Sequence, residues 1–188
     1  LADVDRRYVL AIETALGGAL QNIIVESEQD AKAAIAYLRK TRGGRATFLP
    51  VSSVKGRGLE NTAEVSKSQG FIGIASQLVK HDRRYDGIFA SLLGRVVVVD
   101  NIDNAIALSR KFGYRFKTVT LDGDVLNAGG SMSGGSVNKQ SGFLSRAAEI
   151  KELTSETAEL ARSIKALTEE GKGAEGDLSL AENQLGSF

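Results

Sequence analysis

The sequence predicts an α/β fold with mixed, α+β-like sheets, followed by the start of a coiled-coil helix. Three observations carry that prediction. Strand-like and helix-like segments alternate from Gln21 to Gly113, a hairpin pattern follows them, and a heptad repeat occupies the chain from Ile150 onward. With 188 residues there is room for one domain with a sizeable core and an appendage.

From Asp3, the stretch "DVDRRYVLAIETALGGAL" sets Val4, Tyr8, Ile12, Ala15 and Leu16 at helical spacing, with Gly17-Gly18 as a stop. "QNIIVES" reads as a short buried strand. In "SEQDAKAAIAYLRKTRGG", Ser27 is an N-cap and Asp30 takes the capping-box place. Ala31, Ala34, Ile35 and Leu38 form the apolar stripe, and Gly43-Gly44 ends the helix. "RATFLPV" is a second strand carrying Pro50, the only proline, near its end. Ser52 to Ser68 is polar loop with at most a turn of helix.

"GFIGIASQLV" reads as extended and partly buried, interrupted by Gly73. "DRRYDGIFASLLG" is a helix with Tyr85, Ile88, Phe89 and Leu92 on one side and Gly94 at its end. The valine run of "RVVVVD" marks a fully buried strand. "NIDNAIALSRKFG" turns Ile102, Ala105, Ile106 and Leu108 inward and stops at Gly113. "YRFKTVTLDGDVLN" alternates Phe116, Val119 and Leu121, and its Asp122-Gly123 is a hairpin turn.

The last segment obeys a period of seven. With Ile150 at position a, Thr157, Ile164, Gly171, Leu178 and Leu185 also fall at a; Leu153, Leu160, Leu167, Ala174, Ala181 and Phe188 fall at d. Lys151, Glu152, Glu159, Arg162, Lys165 and Glu169 all fall on the outer face. In "GKGAEG", Gly171, Gly173 and Gly176 each cost about 1 kcal/mol relative to Ala, so the helix is expected to fray there. The expected division is therefore residues 1–142 as one domain and 143–188 as the start of a coiled-coil arm whose partner strand lies outside these residues.

Composition removes several kinds of chemistry. There is no cysteine, which excludes disulfides, thiolate zinc sites and a Cys nucleophile, and suits a reducing, cytoplasmic setting. No apolar run approaches the roughly 20 residues of a membrane span, and the start lacks a signal-peptide layout, so no membrane partner is expected. The absence of an initial Met reads as an excised fragment. The net charge of +1 hides an asymmetry: residues 1–142 carry 19 Lys/Arg against 14 Asp/Glu, residues 143–188 carry 5 against 9.

The one histidine, His81, stands among charges between a strand and a helix, and reads as a surface flank residue before a general base. Asp122 and Asp124 flank a turn glycine, where Asp is favoured for turn geometry alone. "GGSMSGGSVNK" has no Lys directly after its glycines, so it fails the P-loop pattern, and no dinucleotide fingerprint exists elsewhere. Its glycine pairs read as a bare strand edge that admits a second backbone. No cofactor, metal or catalytic residue is expected. Basic residues gather at Arg39, Lys40, Arg42 and Arg45; at Lys55 and Arg57; at Lys80, Arg83 and Arg84; and at Arg110, Lys111, Arg115 and Lys117. Such clusters can release counterions from DNA without reading its sequence, or simply solvate helix ends.

The order of parts resembles the hinge domain of the structural maintenance of chromosomes (SMC) proteins, in their bacterial, homodimeric branch. The residues carrying the likeness are "AIETALGGALQNIIVES", "DAKAAIAYLRKTRGGRATFLP", "LLGRVVVVDNIDNAIALS" and "TLDGDVLNAGGSMSGGS", which cover most of Ala11 to Ser136. The resemblance implies an SMC-hinge-like, two-lobed domain of two pseudo-related α/β halves at the tip of a long antiparallel coiled coil. It also implies a ring-shaped, roughly two-fold homodimer, and an ATPase head at the far end of the coil, outside these residues.

Carried onto this chain, the likeness places Gly129, Gly130, Ser131, Met132, Ser133, Gly134 and Gly135 at the dimer interface. Gly70 and Gly73 of "GFIGIAS" are our inference for the reciprocal edge. Ala128 stands where related chains commonly have Pro. Some relatives carry a run of lysines implicated in DNA contact where this chain reads "SVNKQ", with Lys139 alone. The candidates for weak, sequence-independent DNA contact are Lys139, Lys80, Arg83, Arg84, Arg39, Lys40 and Arg42. The expected function is a non-enzymatic homodimerisation hinge for chromosome condensation and segregation, cytoplasmic and nucleoid-associated. The alternatives are a module whose main task is DNA binding, and an α/β enzyme taking a phosphorylated ligand through its Gly/Ser loop.

Overall fold

A computed structural model of the chain describes residues 2–135 and 143–185, with side chains in the last helix described at 150 and 153–173. The chain divides into two compact units, Leu1–Ser145 and Arg146–Phe188. The first contains β1 (Ala2–Val4), α1 (Val9–Leu16), β2 (Ile23–Val25), α2 (Glu28–Thr41), β3 (Phe48–Pro50) and the single turn α3 (Thr62–Val65). It continues with β4 (Phe71–Ile74), β5 (Val79–His81), α4 (Asp86–Leu93), β6 (Val96–Val99), α5 (Ile102–Lys111), β7 (Lys117–Thr120), β8 (Val125–Leu126) and β9 (Met132–Ser133).

The central sheet runs β4-β6-β7-β8-β9 and is mixed: β6 and β7 are parallel, every other pair antiparallel. Its middle is the valine run, buried on both faces. Val96 and Val98 join Ile12, Phe89, Leu93, Val119 and Val125 in one core. Val97 and Val99 join Val65, Ile74, Leu108, Phe116 and Leu126 in the other. A strand sandwiched between two cores has no polar face to show, which is why four valines stand in a row. Phe116 lies on the α5 side and Val119 on the α1 and α4 side, so the alternation expected of the hairpin splits between two faces.

The unit is an internal duplication. Asp5-Arg6-Arg7-Tyr8 and Asp82-Arg83-Arg84-Tyr85 each form a 3-10 turn, in which the Asp carboxylate accepts from the backbone N–H two residues on, at 3.2 Å and 2.9 Å. Each turn follows a strand and opens an eight-residue helix closed by Gly17 or Gly94. A strand, a second helix and a parallel strand then follow in both halves, with Ser27 and Asn101 as the second helices' N-caps. β1 and β5, the leading strands, pair antiparallel and join the halves.

Four expectations are corrected. The helix does not begin at Asp3: residues 2–4 are a strand, and the α-helix starts at Val9 after the Asp5-capped turn. β2 is not buried; it pairs only with β3, and Ile23 is 46% exposed. Of α2's apolar stripe only Ala31 is buried, while Ile35 lies in solvent, so the capping box forms as expected on a helix without a full cover. The helix ends at Arg42, in a left-handed conformation at φ 54°, one residue ahead of the predicted glycines.

The second unit holds most of α6 (Phe143–Leu185), a continuous helix that runs through "GKGAEG", so the fraying expected there is also overturned. Its a and d residues Ile150, Leu153, Leu160, Ile164 and Leu167 are 53–67% exposed and form an apolar seam. Thr154, Thr157 and Thr168 bond back to carbonyls four residues earlier, satisfying their hydroxyls within the helix. A Cβ at Gly171 or Gly173 would meet no atom. Replacing both by Ala is therefore expected to raise the helix's stability by about 1 kcal/mol per site, seen as higher helicity on warming by circular dichroism. No gain would mean that the helix is held there by something other than its own backbone.

Candidate functional site

The two glycine pairs sit at the outer margin of the central sheet. After β8, Asn127 turns the chain: its N–H donates to the Ser131 carbonyl at 2.8 Å, and Gly130 N–H donates back to the Asn127 carbonyl at 3.0 Å. Gly129 (φ 90°) and Gly130 (φ 96°) adopt backbone conformations that L side chains rarely take, which accounts for glycine there. Because Asn127 and Ser131 are directly opposed and bonded, Val125 and Ser133 are the next bonded pair and Leu126 and Met132 the unbonded pair. The Met132 N–H and C=O therefore point away from β8, at the free edge of the sheet. Its side chain is 54% exposed, and residues 131–135 are all exposed.

Two further groups hold this turn, and sequence reasoning missed both roles. Tyr114, itself left-handed at φ 54°, accepts at its carbonyl from Gly129 N–H (3.0 Å) and lays its ring 3.7 Å from where a Cβ on Gly130 would stand. A side chain at Gly134 would overlap the Asp124 carboxylate. That carboxylate is tied into its own turn: Asp124 N–H donates to Thr120 Oγ1 at 2.9 Å, and Thr120 Oγ1 donates to Asp124 Oδ2 at 3.3 Å.

Gly70 and Gly73 lie at the other margin of the same sheet, in or beside the edge strand β4, so one chain does not bring them to the β9 edge. Their lack of a Cβ has internal uses. A Cβ at Gly70 would overlap Asp100 and Asn104, and one at Gly73, which is buried, would press on Leu78 Cδ2 at 3.1 Å.

The basic candidates fall in separate places. Lys80 is exposed on β5, and Arg83 and Arg84 follow it in the 3-10 turn, where Arg84 is ion-paired with Glu26. Arg39, Lys40 and Arg42 are exposed at the end of α2. Lys139 lies outside the described residues. His81 is packed instead of exposed: its ring lies 4.1 Å from that of Phe89, Nε2 is 3.3 Å from Asp86 Oδ1, and Nδ1 is 3.1 Å from the Val79 carbonyl. Among the described residues no group of three or more His, Cys, Asp or Glu could hold a metal ion, and no helix is long and apolar enough to cross a membrane.

Lys117 ties the halves together. Its Nζ donates to the Ala15 carbonyl, in the last turn of α1, at 2.9 Å, and burial pushes its pKa below the ordinary lysine value. Between that depressed value and the unfolded one near 10.5, the unfolded chain holds a proton that the folded chain has lost, so stability rises with pH across the window. Lys117→Met is expected to flatten that rise in urea melts run at several alkaline pH values; equal slopes in the two proteins would refute it.

The comparisons with known proteins agree with one another. Residues 1–109 match the family model described as the SMC proteins flexible hinge domain. The chromosome partition protein Smc of Halothermothrix orenii is 44% identical over 164 residues, 86% of this chain but 14% of the relative. That of Bacillus subtilis is 38% identical over 175 residues, 92% of this chain and 15% of the relative. This chain thus spans about one seventh of the length of these curated relatives. Among solved structures, an asymmetric dimer of the Geobacillus stearothermophilus SMC hinge domain superposes with a TM-score of 0.78 at 44% identity, covering 89% of this chain and 68% of that one. With a duplicated α/β body, a mixed five-stranded sheet and these matches, the chain belongs to the flexible hinge family of SMC proteins.

Proposed function

We propose that this chain is the site at which two copies of an SMC protein join, and that the β9 edge makes the join. The observation that carries the reading is the orientation of Met132, whose backbone N–H and C=O face outward from an edge strand cleared by glycines on both sides. Proteins normally blunt such edges with charge, proline or cover. Residues 129–135 contain none of the three. Strand addition from a second copy satisfies both groups and, made twice about a two-fold axis, closes a ring.

The internal duplication suggests the receiving surface. β3 stands in the first half where β7 stands in the second; beyond β7 the sheet continues through β8 to β9, but beyond β3 it stops. A two-stranded sheet is marginal by itself. Beside it Ile23 and Ile35 are 46% and 45% exposed, and a groove of about 440 Å³ is lined by Ala31, Ile35, Ala36 and Pro50 together with Glu28, Lys32, Arg39 and Ser53. The partner's β9 edge docking on this lobe gives both the strands they lack. We favour it over the β4 edge because Gly70 and Gly73 are already accounted for within the chain.

The exposed seam of α6 suits an arm that pairs with a second helical strand of the same protein, with residues 1–142 as the joining body and 143–188 as the start of that arm. In this reading the protein works in the cytoplasm on the chromosome. The hinge performs no chemistry of its own, and DNA contact is weak and made to phosphates. The test is the solution mass by sedimentation equilibrium. A dimer is expected, and a monomer persisting at high concentration would refute the proposal.

A further inference from the structure

Met132 carries the only sulfur atom in the chain, which has no cysteine and no second methionine. It stands on β9 opposite Leu126, in the unbonded pair of the β8–β9 ladder, and side chains paired in this way share one face of the sheet. Leu126 is 1% exposed and belongs to the core that holds Ala105 and Leu108 of α5. Met132 continues that apolar face one strand further, beyond the cover the chain supplies, and is 54% exposed. Among the described residues of this unit, the other exposed large apolar side chains are Ile23, Ile35 and Tyr37.

The groove between α2 and β3 offers a matching surface. Ala31, Ile35 and Ala36 form one wall and Pro50 the other, and no residue of β2 lines it, so it opens on the free side of β3. In each half the second helix lies on the crossover between two parallel strands, β2 to β3 and β6 to β7, and such crossovers share a right hand. A partner's β9 laid antiparallel against the free side of β3 therefore keeps α2 and the partner's α5 on one face of the joined sheet. Because Met132 lies on the α5 face, that arrangement delivers the partner's Met132 to the groove.

We infer, resting on the reading of β9 as the joining edge, that the Met132 thioether is a site of reversible oxidation that controls joining. In the unpaired chain the sulfur is open to a small oxidant such as hydrogen peroxide. A sulfur lone pair attacks the peroxide, and the S–O bond forms as the O–O bond breaks. The thioether loses two electrons, and the peroxide takes them, keeps both its protons and departs as water. The sulfoxide that results is polar where the thioether was apolar. Against Ala31, Ile35, Ala36 and Pro50 its oxygen finds no donor, because the helical N–H groups are already bonded and proline has none. Lys32, Arg39 and Ser53, the side-chain donors that line the groove, are exposed and hydrated. Oxidised chains accordingly stay apart, and reduction of the sulfoxide restores their joining.

The test weighs the protein by sedimentation equilibrium untreated, after hydrogen peroxide has added one oxygen atom by mass spectrometry, and after methionine sulfoxide reductases for both epimers have removed it. With a single sulfur in the chain, the added mass reports on this one site. Oxidation is expected to raise the dissociation constant by about tenfold or more, and reduction to reverse the change. Met132→Leu, apolar and without sulfur, is expected to dimerise and to be indifferent to peroxide. Met132→Gln, polar and unbranched, is expected to dimerise weakly with no oxidant present, and circular dichroism checks that every sample is folded. An oxidised protein as dimeric as the untreated one, or a Met132→Leu protein that peroxide separates equally well, would overturn the inference and leave the joining edge standing. An untreated protein that is monomeric would remove the joining edge and the inference with it.

Discussion

Met132→Pro is expected to move the protein from dimer toward monomer while leaving its fold intact. Proline lacks the N–H that this residue points outward, and it is tolerated on edge strands where that N–H faces solvent. The β8 pairing does not use the Met132 N–H, so the ladder within the chain survives. Across the interface a partner carbonyl is left unmatched, at a cost of about 1–3 kcal/mol, and two-fold symmetry doubles it. The dissociation constant should rise by at least about 30-fold, using roughly 1.4 kcal/mol for each factor of ten. Sedimentation equilibrium reads the shift, and circular dichroism checks the fold. An unchanged dimer would remove β9 from the interface. The glycines make poorer probes: Gly129 and Gly130 need their positive φ, and Gly134 needs room for Asp124, so bulky residues there also damage the monomer.

Gly56→Ala is expected to cost about 3 kcal/mol or more of folding stability, an unusually large effect for one added methyl. The loop after β3 crosses α4 so closely that a Cβ at Gly56 would overlap the Ser91 nitrogen and the Ala90 carbonyl carbon. The obstacle is backbone, which cannot rotate aside. Gly87 on the same helix answers from the other side, where a Cβ would overlap the Val54 carbonyl oxygen. Urea melts against Gly18→Ala, where a Cβ meets nothing, separate crowding from the general effect of losing a glycine. A loss below 1 kcal/mol would show that the loop can lift from the helix.

Features encoded within a few residues were legible in advance. The Ser27 and Asp30 capping box forms with both reciprocal bonds, at 3.2 Å and 3.0 Å. The valine run is buried on two faces, and Gly123 turns the β7–β8 hairpin at φ 87°. β1 was hidden because its partner β5 is remote in sequence, and because the apolar spacing of Val4 and Tyr8 continues that of α1. The signal that would have revealed it is the repeated Asp-Arg-Arg-Tyr at 5–8 and 82–85, each copy placed just after a strand. The fraying expected in α6 came from summing glycine penalties one by one, a sum that leaves out the cooperativity of a helix extending well beyond them on either side.

For the candidate site, the glycine pairs were readable from the residue pattern as a strand edge or a place of close backbone approach, and the resemblance to the hinge family pointed to the bare edge. What composition could not give was their support. Tyr114 looks like any loop aromatic until the fold carries it against Gly130, and Asp124 looks like a turn former until Gly134 is seen to leave it room. The basic clusters were visible in the sequence, but their balance was not, because Arg84 finds Glu26 at a separation of 58 residues.

The unequal halves also bear on the lifetime of the chain in a cell. The second half builds most of a five-stranded sheet, but the first has two short parallel strands and a helix whose stripe is only partly covered. Such a segment opens at low free energy and is where a protease finds backbone to cut. Pairing would close it, so newly made copies without a partner would be the ones removed first. The rate of turnover would then report the degree of assembly, with no separate degradation signal required.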